Sequence, residues 1–450
     1  MKYKLISTLV FSVLLITSCN KKLNTTPTQD IATAAALATN DDVQVALVGA
    51  YSALGDRSLY GGRVFLGPDL LANTTEMRWA GTYQQFTQIN NKAIPIDNLF
   101  VENTWLTAYT AINDVNNVLS ALGVLNAASK SRVEGEAKFI RGSIYFDLVR
   151  VYAKAWNDGT PGSNAGVPIV LTPTISVSDA SKISRNSVAQ VYAQAIKDLT
   201  EAEAKLPATN GFYATKFSAA AMLARIYLQQ GDYTNAAAAA NRVISSKMYT
   251  LAATYAGAFP TMYPPAPVAN TTEDIFSMQV TASSGANGFQ EFYSASGRGD
   301  ITINPAHLSL YETGDDRKNL FYASGGYTFT GKFDNVYGNV HIIRLAEMYL
   351  TRAEANFNLG TSVGDMPLND INLIRERVLL PDLLITDLTL ARIIMERKLE
   401  LAFEGFSLHD AKRLKISIGI LPFNSPKLVY PIPKREIIVN SSLTQNEGYF

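Results

Sequence analysis

The feature that most narrows the fold is a pair of helical patterns joined by a tight turn, at residues 217–246. In FSAAAMLARIYLQQ, Ala219, Met222, Leu223, Ile226 and Tyr227 recur at i, i+3, i+4, i+7 and i+8. That spacing gathers side chains on one face of an α-helix. Gly231-Asp232-Tyr233 then reverses the chain, and TNAAAAANRVISS opens a second helix with Tyr233, Ala236, Ala237 and Ala240 facing inward. Because the inward residues are small, the two helix axes are expected to approach closely.

A second copy follows at residues 342–360, IIRLAEMYLTRAEANFNLG, with a further helix carrying Ile371, Ile374 and Val378. The layout is that of a tetratricopeptide-type hairpin, and Val43 to Leu54 and Val191 to Leu199 supply degenerate members. A single hairpin cannot bury its apolar face, so a stack of about three or more is expected. The fold class is therefore mostly α, with a tetratricopeptide-like scaffold.

The other helical signals agree. Val43, Ala46, Leu47, Ala50, Tyr51 and Leu54 form one face, with Asn40 as the expected N-cap. Trp105, Ala108, Tyr109 and Ile112 repeat the pattern, and residues 131–155 place Ile140, Ile144, Leu148 and Val151 together. Ser187 and Gln190 form a capping box ahead of the helix that Pro207 stops. Two stretches lack this period. Residues 56–104 read as an irregular insertion, and about 250–335, rich in Tyr, Phe, Gly, Pro, Ser and Thr, as short strands and loops. A long irregular stretch such as 250–335 inside a compact protein usually carries function.

Composition limits the partners. Basic and acidic residues number 39 each among 450, so no cationic excess exists to neutralise a phosphate backbone, and nucleic acid is not an expected partner. One cysteine permits no internal disulfide, and His307, His341 and His409 share no metal-ligand spacing.

That cysteine sits at the end of an N-terminal signal. Lys2 and Lys4 precede an apolar run from Leu5 to Ile16, shorter than the roughly 20 residues that span a bilayer as a helix. Ile16-Thr17-Ser18-Cys19 then resembles the bacterial lipobox, in which the cysteine becomes the lipidated N-terminus. Residues 1–18 are expected to be a signal peptide, 19–39 the lipidated Cys19 and its tether, and 40–450 one domain. Several acyl chains on Cys19, at about 0.8 kcal/mol per buried CH₂, would hold the protein at a membrane.

Local motifs offer little chemistry. Gly326, Gly331 and Lys332 have Walker A spacing in GGYTFTGKF, but Phe333 replaces the magnesium-binding hydroxyl and the alternation is that of a strand. Arg298-Gly299-Asp300 is an RGD triplet too short to carry an adhesion claim. Glu396, Glu400 and Glu404 lie one turn apart beside Arg397 and Lys398, which favours ion pairs over acid–base work. No nucleophile or metalloprotease motif occurs, and a non-enzymatic protein is expected. The irregular stretches instead hold Trp79, Tyr83, Phe86, Phe292, Tyr293, Phe321 and Tyr322, and aromatic faces stack on sugar rings or peptide side chains. Trp79, Tyr83, Tyr293 and Arg298 are the candidate ligand-binding residues.

Several motifs in order resemble the SusD/RagB family of Bacteroidota outer-membrane nutrient-binding lipoproteins. Glu136-Ala137-Lys138-Phe139-Ile140-Arg141, then Tyr145-Phe146-Asp147-Leu148, is similar to the family's E-A-x-F-L-R-A-x-x-Y-F-x-L helix, and Gly166-Val167-Pro168 to its G-V-P. Arg344-Leu345-Ala346-Glu347, Tyr349-Leu350 and Ala353-Glu354-Ala355 resemble R-L-A-E-x-Y-L-x-x-A-E-A, and Asn372 with Ile374-Arg375-Glu376-Arg377 resembles N-x-I-R-x-R. Glu396-Arg397 through Glu404-Gly405 match E-R-x-x-E-L-x-F-E-G. Beyond Gly405, Asp410 and Arg413 also fit the family, while Ser407 stands where it often has Arg. Pro431-Ile432-Pro433, Glu436-Ile437 and Asn440, then Leu443, Gln445-Asn446 and Gly448-Tyr449, resemble its ending.

The resemblance implies a helical scaffold docked on a SusC-like TonB-dependent porin and a loop-built face that captures oligosaccharide, or peptide in some members. It implies a lipid-anchored, cell-surface location in the outer membrane. Asn20, Lys21 and Lys22 follow the cysteine and the first acid is Asp30, so the outward orientation rests on the resemblance alone. No cofactor is implied, with bound calcium left open. A peptide-capturing relative and a scaffold with only protein partners are the alternatives.

Overall fold

The computed structural model describes residues 36–176 and 181–450. The signal peptide, Cys19 and most of the tether expected from the sequence lie outside the described residues. In chain order the elements are α1 (Asn40–Leu54), α2 (Arg63–Ala72), β1 (Met77–Trp79), α3 (Gln84–Asn90), α4 (Leu99–Ser120), α5 (Ala127–Tyr152) and α6 (Val188–Lys205). Next come α7 (Lys216–Gln230), α8 (Tyr233–Ser245), β2 (Asp274–Met278), α9 (Gly288–Tyr293), β3 (Ile301–Ile303) and α10 (Pro305–Leu308). The remainder are β4 (Phe321–Ser324), β5 (Tyr327–Thr330), β6 (Val340–Arg344), α11 (Leu345–Leu359), α12 (Pro367–Arg377), α13 (Leu390–Glu400), α14 (Ser407–Arg413) and α15 (Lys434–Val439).

The helices form a continuous stack. α1 packs on α4, α4 on α5, α5 on α6, α6 on α7 and α7 on α8. The next neighbour of α8 is α11, which in turn packs on α12 and α13. The two hairpins recognised in the sequence are thus adjacent, and the roughly hundred residues between Ser245 and Leu345 leave the stack and return to it. Gly231, at φ +72°, makes the turn of the first hairpin in a conformation that costs other residues about 1–2 kcal/mol. Asp232 then caps α8 by accepting from the Asn235 backbone N–H at 3.2 Å. Ala236, Ala237 and Ala240 are fully buried, as their small size requires at a close helix contact.

Among the described residues, three two-stranded antiparallel ribbons accompany the helices. β1 pairs with β3 (Met77 opposite Ile303, Trp79 opposite Ile301), β2 with β6, and β4 with β5. Gly325 and Gly326, both at positive φ, make the β4–β5 turn that the right-handed strand twist favours. Within GGYTFTGKF, Tyr327–Thr330 is therefore strand, as its alternation indicated, and Gly331–Phe333 forms one 3-10 turn. Lys332 is buried and its Nζ donates to Glu404 at 2.6 Å and to the Ala402 carbonyl at 2.8 Å. It offers no phosphate site.

Two expectations are corrected. The N-cap of α1 is Thr39, which exchanges hydrogen bonds with Asp42 in a capping box, and Asn40 is already helical. Residues 56–104 are more regular than expected, holding α2 and α3. Val64 through Leu71 are all buried, Asp69 among them, so α2 is enclosed on every side and shows no amphipathic period.

The acidic triplet near the C-terminus is structural. Glu396 pairs with Arg375 at 2.6 Å and Arg317 at 3.1 Å, Glu400 with Arg344 at 2.6 Å and with Arg377, and Glu404 with Arg344 at 2.9 Å and Lys332 at 2.6 Å. All three carboxylates are buried. Burial alone would push the Glu404 carboxyl up, but Arg344 and Lys332 outweigh it and hold it down at about 2. A carboxylate so stabilised is a poor proton donor at neutral pH.

Candidate ligand-binding site

Pairing of β1 with β3 brings two distant segments of the chain together. The Ala80 N–H donates to the Asp300 carbonyl at 2.8 Å, continuing the ribbon past Trp79 and setting residues 80–83 beside residues 298–300. Trp79 is partly exposed, and its indole Nε1 donates to Thr87 Oγ1 at 2.9 Å. Its ring is seated against Phe86 at 5.6 Å and Phe292 at 6.0 Å between centroids. Gly81 is needed here, because a Cβ at that position would lie 2.5 Å from the indole and 2.7 Å from Asp300 Oδ2.

Tyr83 is 37% exposed, with its ring propped by Phe86 and Phe292. The Arg298 guanidinium lies 4.3 Å over the centre of that ring. Its Nε donates to Asp300 Oδ2 at 2.7 Å and its Nη2 to Thr82 Oγ1 at 3.0 Å. The guanidinium is thus fixed on three sides while remaining at the surface. A cation held over an aromatic face in this way contributes about 0.5–1 kcal/mol at an exposed site. The RGD triplet is accounted for locally by this Arg298–Asp300 pair, with Gly299 at φ +61° between them.

Three of the four candidate residues therefore meet on one surface. Tyr293 does not join them. It is fully buried, enclosed by Phe289, Phe333 and Phe403, and its hydroxyl contacts only the Met77 sulfur at 3.6 Å. Burial pushes its phenol well above the usual range. The expectation for Tyr293 is corrected, since α9 turns it into the core and no face of the ring reaches solvent. Phe86 and Phe292 are likewise buried supports rather than contact residues.

Sequence reasoning missed Thr82, Thr87 and Asp300, which orient the exposed groups, and a second stacked pair. Arg78 lies 4.9 Å over the ring of Tyr327, which is 47% exposed at the β4–β5 turn. The signal was present in the Gly325-Gly326 turn followed by alternating aromatics, which places Tyr327 at a hairpin tip. Arg78 follows Met77 and precedes Trp79 in β1, so this pair faces away from Trp79. Chemically, the Trp79–Tyr83–Arg298 surface offers aromatic faces, one anchored guanidinium group and hydroxyls. Such a set stacks on a pyranose ring and hydrogen-bonds its hydroxyls. Among the described residues no group of three or more His, Cys, Asp or Glu is placed to hold a metal ion. Cavities of about 230 Å³ and about 330 Å³ lie elsewhere, and neither is lined by Trp79, Tyr83 or Arg298.

Comparison with known proteins agrees with this architecture. Residues 27–228 match a family profile described as starch-binding associating with outer membrane, and residues 325–419 match one described as the SusD family. SusD-like protein P2 of Formosa agariphila is 26% identical along the whole of both chains. A SusD superfamily protein from Bacteroides vulgatus superposes with a TM-score of 0.82 at 23% identity, covering 92% of this chain and 99% of that one. A SusD-like carbohydrate binding protein from the same organism gives 0.77 at 22% identity, covering 90% and 97%. These structural likenesses are of fold, and the two profiles fall on the motif-bearing helices α5, α11 and α13. With the helical stack, the ordered motifs and both profiles in agreement, the chain belongs to the SusD/RagB family.

Proposed function

We propose that this protein captures oligosaccharide at the surface formed by Trp79, Tyr83 and Arg298 and delivers it to a TonB-dependent, SusC-like porin in the outer membrane. The observation that carries the reading is the Arg298 guanidinium held over a partly exposed Tyr83 ring, next to Trp79, by Asp300 and Thr82. The description of the matched profile as starch-binding and the carbohydrate-binding relative of the same fold favour sugar over peptide. The protein acts as a binder rather than an enzyme.

The anchor is Cys19, lipidated after removal of residues 1–18, with the stretch to residue 39 as tether and residues 40–450 as one binding domain. Among the described residues no helix is long and apolar enough to cross a membrane. Membrane attachment then depends on the acyl chains, and Cys19→Ala is expected to move the protein from the membrane to the soluble fraction. The ligand class is tested by calorimetric titration of residues 20–450 against panels of oligosaccharides and peptides. Saturable binding of an oligosaccharide is expected. Saturable binding of peptides alone would replace the glycan reading, turnover of any ligand would overturn the non-enzymatic one, and binding of neither would favour a scaffold with only protein partners.

A further inference from the structure

The larger cavity, of about 330 Å³, is an open cleft formed by the α6–α7 connection, by residues 248–249 after α8 and by β2. It shares no lining residue with the Trp79–Tyr83–Arg298 surface. Its rim is built on a tight turn, in which the Asn210 carbonyl accepts from the Tyr213 N–H at 3.1 Å with Gly211 at φ +60°. Neighbouring groups pin this turn. Asn210 Nδ2 donates to the Ala214 carbonyl at 3.0 Å, and the Ala214 N–H donates to the Tyr51 hydroxyl at 3.0 Å.

The turn carries two successive aromatic residues into solvent. Phe212 is 60% exposed and Tyr213 38%, and Met248, also on the cleft wall, is 48% exposed. The buried Tyr51 ring lies 4.8 Å from the Tyr213 ring between centroids, so Tyr213 is backed on one side while its surface stays accessible.

The polar part of the lining is uncharged where it can be reached. Asp274 is the one lining carboxylate, and its side chain is fully buried and held by His341 and Thr271. The accessible groups are hydroxyls and amides, of Thr209, Tyr213, Tyr249 and Asn270. Asn270 is half-buried and fixed in orientation. Its Oδ1 accepts from Ser277 at 2.7 Å, Gln279 at 2.8 Å and Asn339 at 2.9 Å, which leaves Nδ2 to donate elsewhere.

We infer that this cleft is a second carbohydrate site, taking one neutral pyranose ring on Tyr213, with Phe212 and Met248 as apolar walls and the Asn270 amide donating to a sugar hydroxyl. The inference rests on the reading of the protein as a sugar binder. Aromatic faces beside uncharged hydrogen-bonding groups match the apolar C–H face and hydroxyl edge of a pyranose. A charged ligand would give up its hydration here without meeting a counter-charge. The space suits a ring rather than a long chain, since about 150 Å³ already admits benzene. Because the turn is pinned in advance, little freedom is lost when a small ligand binds.

The test is saturation-transfer NMR of residues 20–450 with four neutral probes, the methyl pyranosides of glucose, galactose, mannose and xylose. Trp79→Ala impairs the other surface, so the transfer it retains reports the cleft. We expect at least one probe to give saturable transfer to Trp79→Ala, strongest on the ring C–H protons. Adding Phe212→Ala or Tyr213→Ala should weaken that binding at least tenfold. Should Tyr213→Ala not fold, the exposed Phe212 still decides. No saturable transfer to Trp79→Ala from any probe, transfer undiminished by Phe212→Ala, or stronger transfer from N-acetylphenylalaninamide than from every pyranoside would overturn the second site. None of these outcomes touches the Trp79 surface, whose own titration compares wild type with Trp79→Ala. Loss of probe binding on Phe212→Ala but not on Trp79→Ala would uphold the cleft and count against that surface alone.

Discussion

At the scale of residues, the buried charges behave as a network that tolerates no missing member. Arg344 is fully enclosed and bonds to Glu273, Glu400 and Glu404 at once. Removing one partner of a buried pair strands the other without water, at a cost of about 3–5 kcal/mol. Arg344→Met is therefore expected to lower stability by about that much in urea unfolding. The same residues set the acid response. Glu404 has a folded value near 2, below its ordinary 4.5, so its contribution is fully present above about 4.5 and is lost as pH falls toward 2. Asp69 and Asp370 have the opposite sign. Both carboxyls are raised to about 6, so each contributes stability at low pH that is lost as pH rises through 6. The unfolding midpoint should fall as pH is raised from about 4 to about 6 and should also fall as pH is lowered below 4.5, and Asp69→Asn should shrink only the first of these changes.

At the scale of elements, legibility followed sequence spacing and punctuation. The α7–α8 hairpin is legible because Ala219, Met222, Leu223 and Ile226 recur at helical spacing and Gly231 breaks the helix at its end, although Phe217 to Ile226 are all buried. α2 was invisible because all of Val64 to Leu71 is buried and Pro68 sits inside it. α5 lies between these cases. Residues 139–152 are buried without interruption, yet Arg141, Asp147 and Arg150 interrupt its apolar run. Those charges are satisfied internally, as in the Arg141–Asp198 pair at 2.8 Å, which no periodicity reveals. The close approach of α8 to its neighbours supplies a sharp test. Ala240 is fully buried on α8, which packs against α7 and α11. Ala240→Leu should overpack that contact and cost about 1–3 kcal/mol in thermal or urea unfolding.

At the scale of the whole molecule, the helical stack is a frame and the excursion between α8 and α11 carries half of the candidate site. Composition and motif order were enough to indicate the frame. The site was only partly legible, because its geometry depends on β1 pairing with β3 across more than two hundred residues. Trp79, Tyr83 and Arg298 were identifiable as residue types suited to sugar. Burial of Tyr293 was not, since an aromatic in an irregular segment reads the same whether it faces solvent or core. The central claim, that Trp79, Tyr83 and Arg298 together form the oligosaccharide surface, is tested most directly by calorimetry. The bound oligosaccharide is titrated into the wild type, Trp79→Ala and Tyr293→Phe. We expect Trp79→Ala to weaken binding about tenfold, the loss of one aromatic stack of about 1.4 kcal/mol, and Tyr293→Phe to leave it unchanged. Unaltered affinity in folded Trp79→Ala would contradict the account.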